Sequence, residues 1–190
     1  QVEGDGTNEI TINPANTFAS TTQYYVEIDS TAFADSSSNS FAGISDKTSL
    51  SFTSADIVAP TLSSTSPSDD STNVDVTSNI ELTFSEAVDV KSGYITIKKA
   101  SDDNEFEKIE VTSTQVEGDG TNVITINPAN TFTSTTQYYV EIDSTAFDDG
   151  SSNSFAGISD KNSLNFTTQD IVAPTLSSSS PGDNSDSVSI

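Results

Sequence analysis

The strongest constraint on the fold is an internal repeat whose unit is as long as a domain. When the chain is shifted by 114 positions, residues 1–76 align with residues 115–190, and 61 of these 76 pairs are identical. Solenoid proteins repeat every 20 to 50 residues or so, because each of their units is a single supersecondary element. The longer period predicts separate domains arranged in tandem along the chain.

Short segments in which apolar residues alternate with polar ones follow one another through each copy. In NIELTF the apolar residues are Ile80, Leu82 and Phe84. Glu9 of the first copy is replaced by Val123 in the second, whereas the nearby Ile10 and Ile12 are identical in both copies, which indicates that position 9 faces solvent. A period of two is typical of half-buried strands. The predicted strands lie around Leu62, Ile80, Ile95, Ile109, Ile124, Tyr138 and Leu164.

These strands, joined by connections rich in Asp, Asn, Gly and Pro, predict an all-β fold. The specific expectation is tandem immunoglobulin-like β-sandwich domains of about seven strands. Phe106 breaks the alternation and predicts a β-bulge or a late strand start, and a helical turn or two is expected between residues 143 and 160.

The segment DIVAP occurs at residues 56–60 and again at residues 170–174, and its proline favours an extended linker. We therefore predict three segments. Residues 1–55 are expected to be the C-terminal half of one repeat, residues 56–169 a complete repeat, and residues 170–190 the N-terminal start of the next. On this interpretation the chain is a window cut from a longer array.

The charge of the chain limits its partners. Six basic residues face 29 acidic ones, which gives a formal net charge of −23. Such a surface repels phosphate, so nucleic acid and anionic lipid surfaces are excluded as expected partners. No apolar run reaches the length of about 18 residues that a membrane span requires. Divalent cations are the natural partners of this surface, although strong acidity also serves solubility in a salty medium.

The residue types that are missing restrict the chemistry further. The chain has no Cys, His or Met, which removes thiolate sites and most transition-metal ligands. It also lacks a histidine base for its many serines, so we expect no enzyme activity. Only hard oxygen ligands remain for a metal ion.

Several segments resemble the bacterial Ig-like domains of the SbsA type, which occur in S-layer proteins and in tandem arrays of large secreted adhesins. The resemblance rests on four sequence elements. They are the AP dipeptide in DIVAPTLSSTSP and the SP dipeptide that follows it, the strand LTFSEAV, the strand with the pattern Y-x-V-x-I, and FAGI before the last strand. It implies an extracellular or cell-surface protein with a structural role. A likeness of this kind concerns the fold, and a function must be argued from a site.

In such a sandwich, alternate loops share one pole, and many acidic residues fall on one of the two poles. Carboxylates crowded there would repel one another unless a cation joined them, and Ca²⁺ accepts six to eight oxygen ligands in flexible geometry. We predict a Ca²⁺ site that stiffens the domain junction. The expected ligands are Asp56, Glu86, Asp149 and Asn153, followed by Asp143. The alternative is a solvated acidic surface in which Asp and Asn form turns.

Two functions are compatible with these features. The first is a non-catalytic structural repeat of a long extracellular protein, an adhesin stalk or spacer whose partners are neighbouring repeats of the same protein. The alternative is a self-assembling subunit of an S-layer or extracellular filament, whose partners are identical chains. Equal units present equal surfaces in both cases.

Overall fold

The computed structural model describes residues 1–186 and shows only β-structure in them. Among these residues no helix is long and apolar enough to cross a membrane. The strands are β1 (Val2–Glu3), β2 (Thr11–Ile12), β3 (Gln23–Tyr25), β4 (Ser51–Thr53), β5 (Leu62–Ser66), β6 (Ser71–Val74), β7 (Ile80–Val90), β8 (Tyr94–Lys99), β9 (Glu105–Glu110), β10 (Val116–Glu117), β11 (Thr121–Ile126), β12 (Gln137–Ile142), β13 (Phe147–Asp149) and β14 (Asn165–Thr168).

Residues 56–169, which we call the sandwich unit, contain two five-stranded sheets. In the first sheet β7 is central, with β11 along one edge and β5 followed by β13 along the other, and β10 extends the sheet beyond β11. The second sheet has the order β6-β14-β12-β8-β9, and only the β6–β14 pair is parallel. Consecutive strands therefore pass repeatedly between the sheets, as in an immunoglobulin-like sandwich.

The core lies between these two sheets and is formed by the alternating apolar residues. Ile80, Leu82 and Phe84 of β7 are almost fully buried, and Ile124 and Ile126 of β11 lie beside them. Aromatic rings fill the widest parts of the core, where Phe84 contacts Phe147 and Phe155, and Phe166 contacts Phe132. Burying one face of each sheet is the main source of stability for such a fold.

All seven predicted strand regions are strands in the structure, but three further short strands, β6, β10 and β13, were not predicted. The predicted irregularity at Phe106 is a bulge, because Ile97 pairs with Glu107 while Lys98 pairs with Glu105. The helical turns expected between residues 143 and 160 are absent from that described stretch. Its backbone groups instead bond to β7 and to the carboxylate of Asp149, which favours turns over helix.

Residues 1–55, which we call the leading segment, contain only two small sheets, β1–β2 and β3–β4. Residues 170–186, expected to begin the first strand of another repeat, contain no strand. In the sandwich unit the equivalent β5 pairs with β7, whereas residues 170–186 pair with no strand among the described residues. The last four residues of the predicted segment 170–190 lie outside the described residues.

Candidate metal centre

Three of the predicted ligands come together at one pole of the sandwich unit. Asp56 lies in the segment before β5, Glu86 in β7, and Asp149 at the end of β13. One carboxylate oxygen of each residue lies within 4.8 Å of the other two. The strand pair that holds Asp149 opposite Val88 brings its loop beside Glu86. The arrangement therefore joins three distant parts of the sequence.

Asp149 is the most firmly held of the three carboxylates, and it is 2% exposed. Its Oδ1 atom accepts hydrogen bonds from the backbone nitrogens of Ser151 and Asn153, both at 2.8 Å. The side-chain nitrogen of Asn153 donates to its Oδ2 atom, also at 2.8 Å. Burial acts to raise the pKa of Asp149, but these hydrogen bonds outweigh it and lower the pKa. Asp149 therefore remains ionised.

Glu86 has a different environment. Among residues 1–186, no hydrogen bond to its carboxylate is formed. Burial raises the pKa of Glu86, and the negative charges of Asp149 and Asp56 raise it further. The Glu86 carboxylate is thus the least stabilised of the group, and a bound cation would favour its ionised form.

Asp56 connects the site to the leading segment. Its Oδ1 atom accepts a hydrogen bond from the Ser20 hydroxyl at 2.8 Å and another from the Val58 nitrogen at 3.1 Å. The Ser20 hydroxyl oxygen in turn accepts a hydrogen bond from the Ile57 nitrogen at 3.0 Å. On the other side, the Asn153 side chain donates to the backbone oxygen of Asp56 at 3.3 Å. Asp56 is thus contacted from both sides of the linker.

The linker contacts recur 114 residues later. The Ser134 hydroxyl donates to Asp170 at 3.3 Å and accepts a hydrogen bond from the Ile171 nitrogen at 3.0 Å. The Val172 nitrogen donates to Asp170 at 2.9 Å. Sequence reasoning missed Ser20 and Ser134 as linker contacts. In the sequence these two serines are marked only by being identical in the two copies. Most other aligned positions are identical as well, so this identity did not single them out.

The structure places two of the predicted ligands in other roles. Asp143 is not part of the carboxylate group, because its Oδ2 atom accepts a hydrogen bond from the Tyr94 nitrogen at 2.9 Å, at the start of β8. Asn153 lies at the site, but its amide nitrogen faces Asp149 and the Asp56 backbone. Asn153 therefore orients the two aspartates, with its NH₂ group directed at them.

The loop that holds Asp149 has the same local geometry in the leading segment. There the Asn39 side chain donates to Asp35 at 2.9 Å, and the Ser37 and Asn39 nitrogens also donate to Asp35. Neither an equivalent of Glu86 nor one of Asp56 accompanies Asp35 in the sequence. The turn conformation is thus a local property of the loop, whereas the three-carboxylate group needs the other two segments.

Three carboxylates from separate segments form a donor set of hard oxygen atoms. Mg²⁺ and Ca²⁺ both prefer such ligands, and Ca²⁺ tolerates the irregular geometry of loop-borne carboxylates with water completing its shell. Asp149 and Asp56 are held by hydrogen bonds that leave further lone pairs on each carboxylate, and Glu86 has no competing donor among the described residues. The residues present therefore fit a hard divalent cation.

Comparisons with known proteins address the fold and the family. A solved structure, CopC from Methylosinus trichosporium OB3b, is similar with a TM-score of 0.43 and 18% sequence identity. The match covers 61% of this chain and 99% of that one. A comparison with curated proteins gave no significant match.

The family match covers the region that carries the carboxylate group. A family model described as bacterial Ig-like domain matches residues 56–168, which is more than half of the chain. The matched region begins at Asp56 and includes Glu86 and Asp149. With two five-stranded sheets packed around one core, this match shows that the chain belongs to the family of bacterial Ig-like domains.

Proposed function

We propose that this chain is a non-catalytic structural repeat of a long, exported surface protein, such as an adhesin stalk of the SbsA type, and that Ca²⁺ stiffens its junctions. The observation that carries the proposal is the position of Asp56. It lies in the linker, and it is contacted by Ser20 of the leading segment and by Asn153 of the sandwich unit.

In a stalk, each unit must keep a fixed orientation relative to the next. The function of a stalk therefore depends more on the stiffness of its linkers than on any single surface. The Ser20–Asp56 contact and the Ser134–Asp170 contact fix the linker to the unit before it. The carboxylates of Glu86 and Asp149 hold the same linker to the unit after it once a cation neutralises their repulsion. A cation bound there would restrict bending at the junction.

Calcium fits this role better than a catalytic metal would. The ligands are carboxylates alone, without the imidazole or thiolate that zinc or copper sites use. Burial raises the pKa of Glu86, and repulsion from two neighbouring carboxylates raises it further; a divalent cation would relieve that repulsion. The acidic surface would also attract such a cation over longer distances.

The stalk is favoured over the self-assembling layer or filament by the edge of the second sheet. Strand β9 is an edge strand, and its exposed side chains include Glu105, Lys108 and Glu110. Charged residues on an edge strand oppose pairing with the edge of another chain. Self-assembly by strand addition at this edge is therefore disfavoured.

Small-angle X-ray scattering with size-exclusion chromatography tests both parts of the proposal. In millimolar Ca²⁺ the chain is expected to remain monomeric and to show a narrower distribution of linker conformations than in EGTA. The Asp56→Asn variant should lose this calcium response, because it removes a ligand charge at the junction. The matched control is Asp170→Asn, which changes the equivalent residue of the second linker and should retain the response.

Two results would count against the proposal. Calcium-driven polymers or ordered sheets would favour the layer or filament instead. Identical scattering in Ca²⁺ and EGTA would show that calcium does not stiffen the junction. The choice between a stalk and a self-assembling subunit would then depend only on whether the chain is monomeric.

A further inference from the structure

The last strand of the sandwich unit lies beside the second strand of the unit, and the two run parallel. β6 pairs with β14, with Ser71 opposite Phe166 and Val74 opposite Thr168. All other strand pairs in the described part of the chain are antiparallel. We call β6 and β14 the terminal pair, because they are close to the two points at which the chain enters and leaves the unit.

The two linkers join the sandwich unit at opposite ends of its strands. Asp56 lies beside Glu86, in the second half of β7. Gln169 lies beside the residues that precede β7, since its backbone nitrogen donates to the Val74 oxygen at 2.8 Å and its side-chain nitrogen to Asp75 at 3.2 Å. Tension on the chain therefore acts along the strands, and it draws β6 toward its N-terminal end and β14 toward its C-terminal end.

The parallel arrangement determines how the hydrogen bonds between these strands meet such tension. When neighbouring strands are pulled in opposite directions along their length, all the bonds between them are strained together and must break nearly at once. When the same ends of two strands are pulled apart, the bonds break one after another, each at a smaller force. Forced unfolding is governed by the unfolding rate, so the arrangement with the higher barrier survives the larger force.

Side chains add further bonds to this short pair of strands. The Asp69 carboxylate accepts hydrogen bonds from the backbone nitrogen and the side-chain nitrogen of Asn165, at 2.9 and 2.8 Å. The same side-chain nitrogen donates to Asp70 at 3.0 Å, and the Asp70 nitrogen donates to the Asn165 backbone oxygen at 2.9 Å. Together with the two bonds of Gln169, these contacts hold both ends of the terminal pair.

The terminal pair also closes the core, whereas β5 contributes little to it. Asn165, Phe166 and Thr168 of β14 are buried. β5 pairs with β7 and meets the same tension, but three of its five residues are exposed and none is buried. Detaching β5 would therefore uncover little apolar surface, whereas detaching β14 would open the core at Phe166.

We propose that the sandwich unit resists tension along the chain, and that the terminal pair, reinforced by Asp69, Asn165 and Gln169, is the contact that must break before the unit unfolds. The inference rests on the proposed stalk for the source of the tension, because a stalk held at both ends carries force through every unit. The geometry of the strands is independent of calcium, since the terminal pair shares no residue with the three-carboxylate group.

Single-molecule pulling of the full chain in EGTA tests this inference. The protein has no cysteine, so pairs of introduced cysteines determine where the handles attach. Handles at Val58→Cys and Val172→Cys, two exposed linker positions, pull along the strands. Handles at Asn79→Cys and Val172→Cys pull apart the C-terminal ends of the terminal pair. The unfolding force should be at least about twofold higher in the first geometry, because all bonds of the pair are then strained together.

Two substitutions test the side chains of the terminal pair in the first geometry. Asp69→Ala should shorten the lifetime of the folded unit at a fixed force by about tenfold, because two hydrogen bonds across the pair are lost. Asn165→Ser is a milder change, since serine is the residue at the equivalent position 51 of the leading segment. It should shorten the lifetime by about threefold or more, because the side-chain bonds to Asp69 and Asp70 are lost.

The matched control is Glu107→Ala, which removes a comparable set of hydrogen bonds outside the terminal pair. Glu107 lies in β9, at the edge of the second sheet opposite β6. Its carboxylate accepts bonds from Gln115, Ala129 and Asn130. The variant should lower the free energy of unfolding in urea, yet leave the lifetime under force within about twofold of the wild type.

Equal unfolding forces in the two pulling geometries would overturn the inference. A Glu107→Ala variant that shortens the lifetime as much as Asp69→Ala would overturn it as well, because the barrier would then follow overall stability. A missing calcium response or calcium-driven polymers would contradict the proposed function without changing these forces, so the failure of one can be distinguished from the failure of the other.

Discussion

The leading segment and the second copy of its sequence, residues 115–169, differ mainly in what covers them. The hairpin register, the aromatic cluster and the Asp–Asn loop are the same in both. Burial and the three-carboxylate group appear only in the second, where residues 56–111 are packed against it. Local sequence thus determines turns and hairpins, whereas the core and the site depend on distant strands.

The largest expected difference between the copies concerns one aromatic residue. Phe166→Ala should lower the free energy of unfolding of the sandwich unit by about 3–5 kcal/mol, because it leaves a cavity in the core. Phe52→Ala, the same change in the leading segment, should lower it by less than about 0.5 kcal/mol. Urea unfolding followed by circular dichroism measures both, and equal effects would contradict the difference in burial.

The equivalent loops that contain Asp149 and Asp35 offer a second comparison, with a smaller expected difference in stability. In EGTA, Asp149→Asn should destabilise the sandwich unit by about 1–3 kcal/mol, because a buried acceptor of several hydrogen bonds is weakened. Asp35→Asn should leave the unfolding midpoint unchanged, since that loop is exposed. A shift of the midpoint in Asp35→Asn as large as that in Asp149→Asn would mean that the distant strands add nothing to this loop.

The pH dependence of stability should reveal Glu86, which has no counterpart in the leading segment. Its pKa in the folded state is raised above the ordinary value of 4.5, so the folded state binds its proton more tightly than the unfolded state. In EGTA this residue should therefore lower stability progressively as the pH rises from about 4.5 through its folded pKa. The lowered pKa of Asp149 acts in the opposite sense, contributing stability that is lost as the pH falls through its folded pKa.

The difference between wild type and Glu86→Gln isolates the effect of Glu86. The two unfolding free energies should converge in acid and separate above about pH 4.5, with the glutamine variant the more stable in EGTA. Parallel curves across this range would show that folding does not raise the pKa of Glu86.

Sequence reasoning identified the parts of the fold that a regular pattern marks. Strands such as β7 and β11 alternate over several residues, so their buried faces could be predicted from Ile80 or Ile124 alone. Strand β13 could not, because its three residues form no pattern and their strand conformation comes from pairing with β7. The same holds for β6, which pairs with β14 across about 95 residues of sequence.

The site was predictable to a similar extent. Knowing that alternate loops share a pole was sufficient to group Asp56, Glu86 and Asp149. It was not sufficient to separate them from Asp143, whose bond to the Tyr94 nitrogen depends on the start of β8. The roles of Ser20 and of the Asn153 amide nitrogen depend on hydrogen-bond geometry, which residue spacing does not determine.

The central claim, that a divalent cation joins the linker to the sandwich unit, is tested most directly by thermal unfolding in Ca²⁺ and in EGTA. At a calcium concentration about 100 times the dissociation constant, the wild-type midpoint should rise by about 10 °C, and Glu86→Gln should lose most of this rise. An unchanged wild-type midpoint, or an equal rise in Glu86→Gln, would contradict the claim.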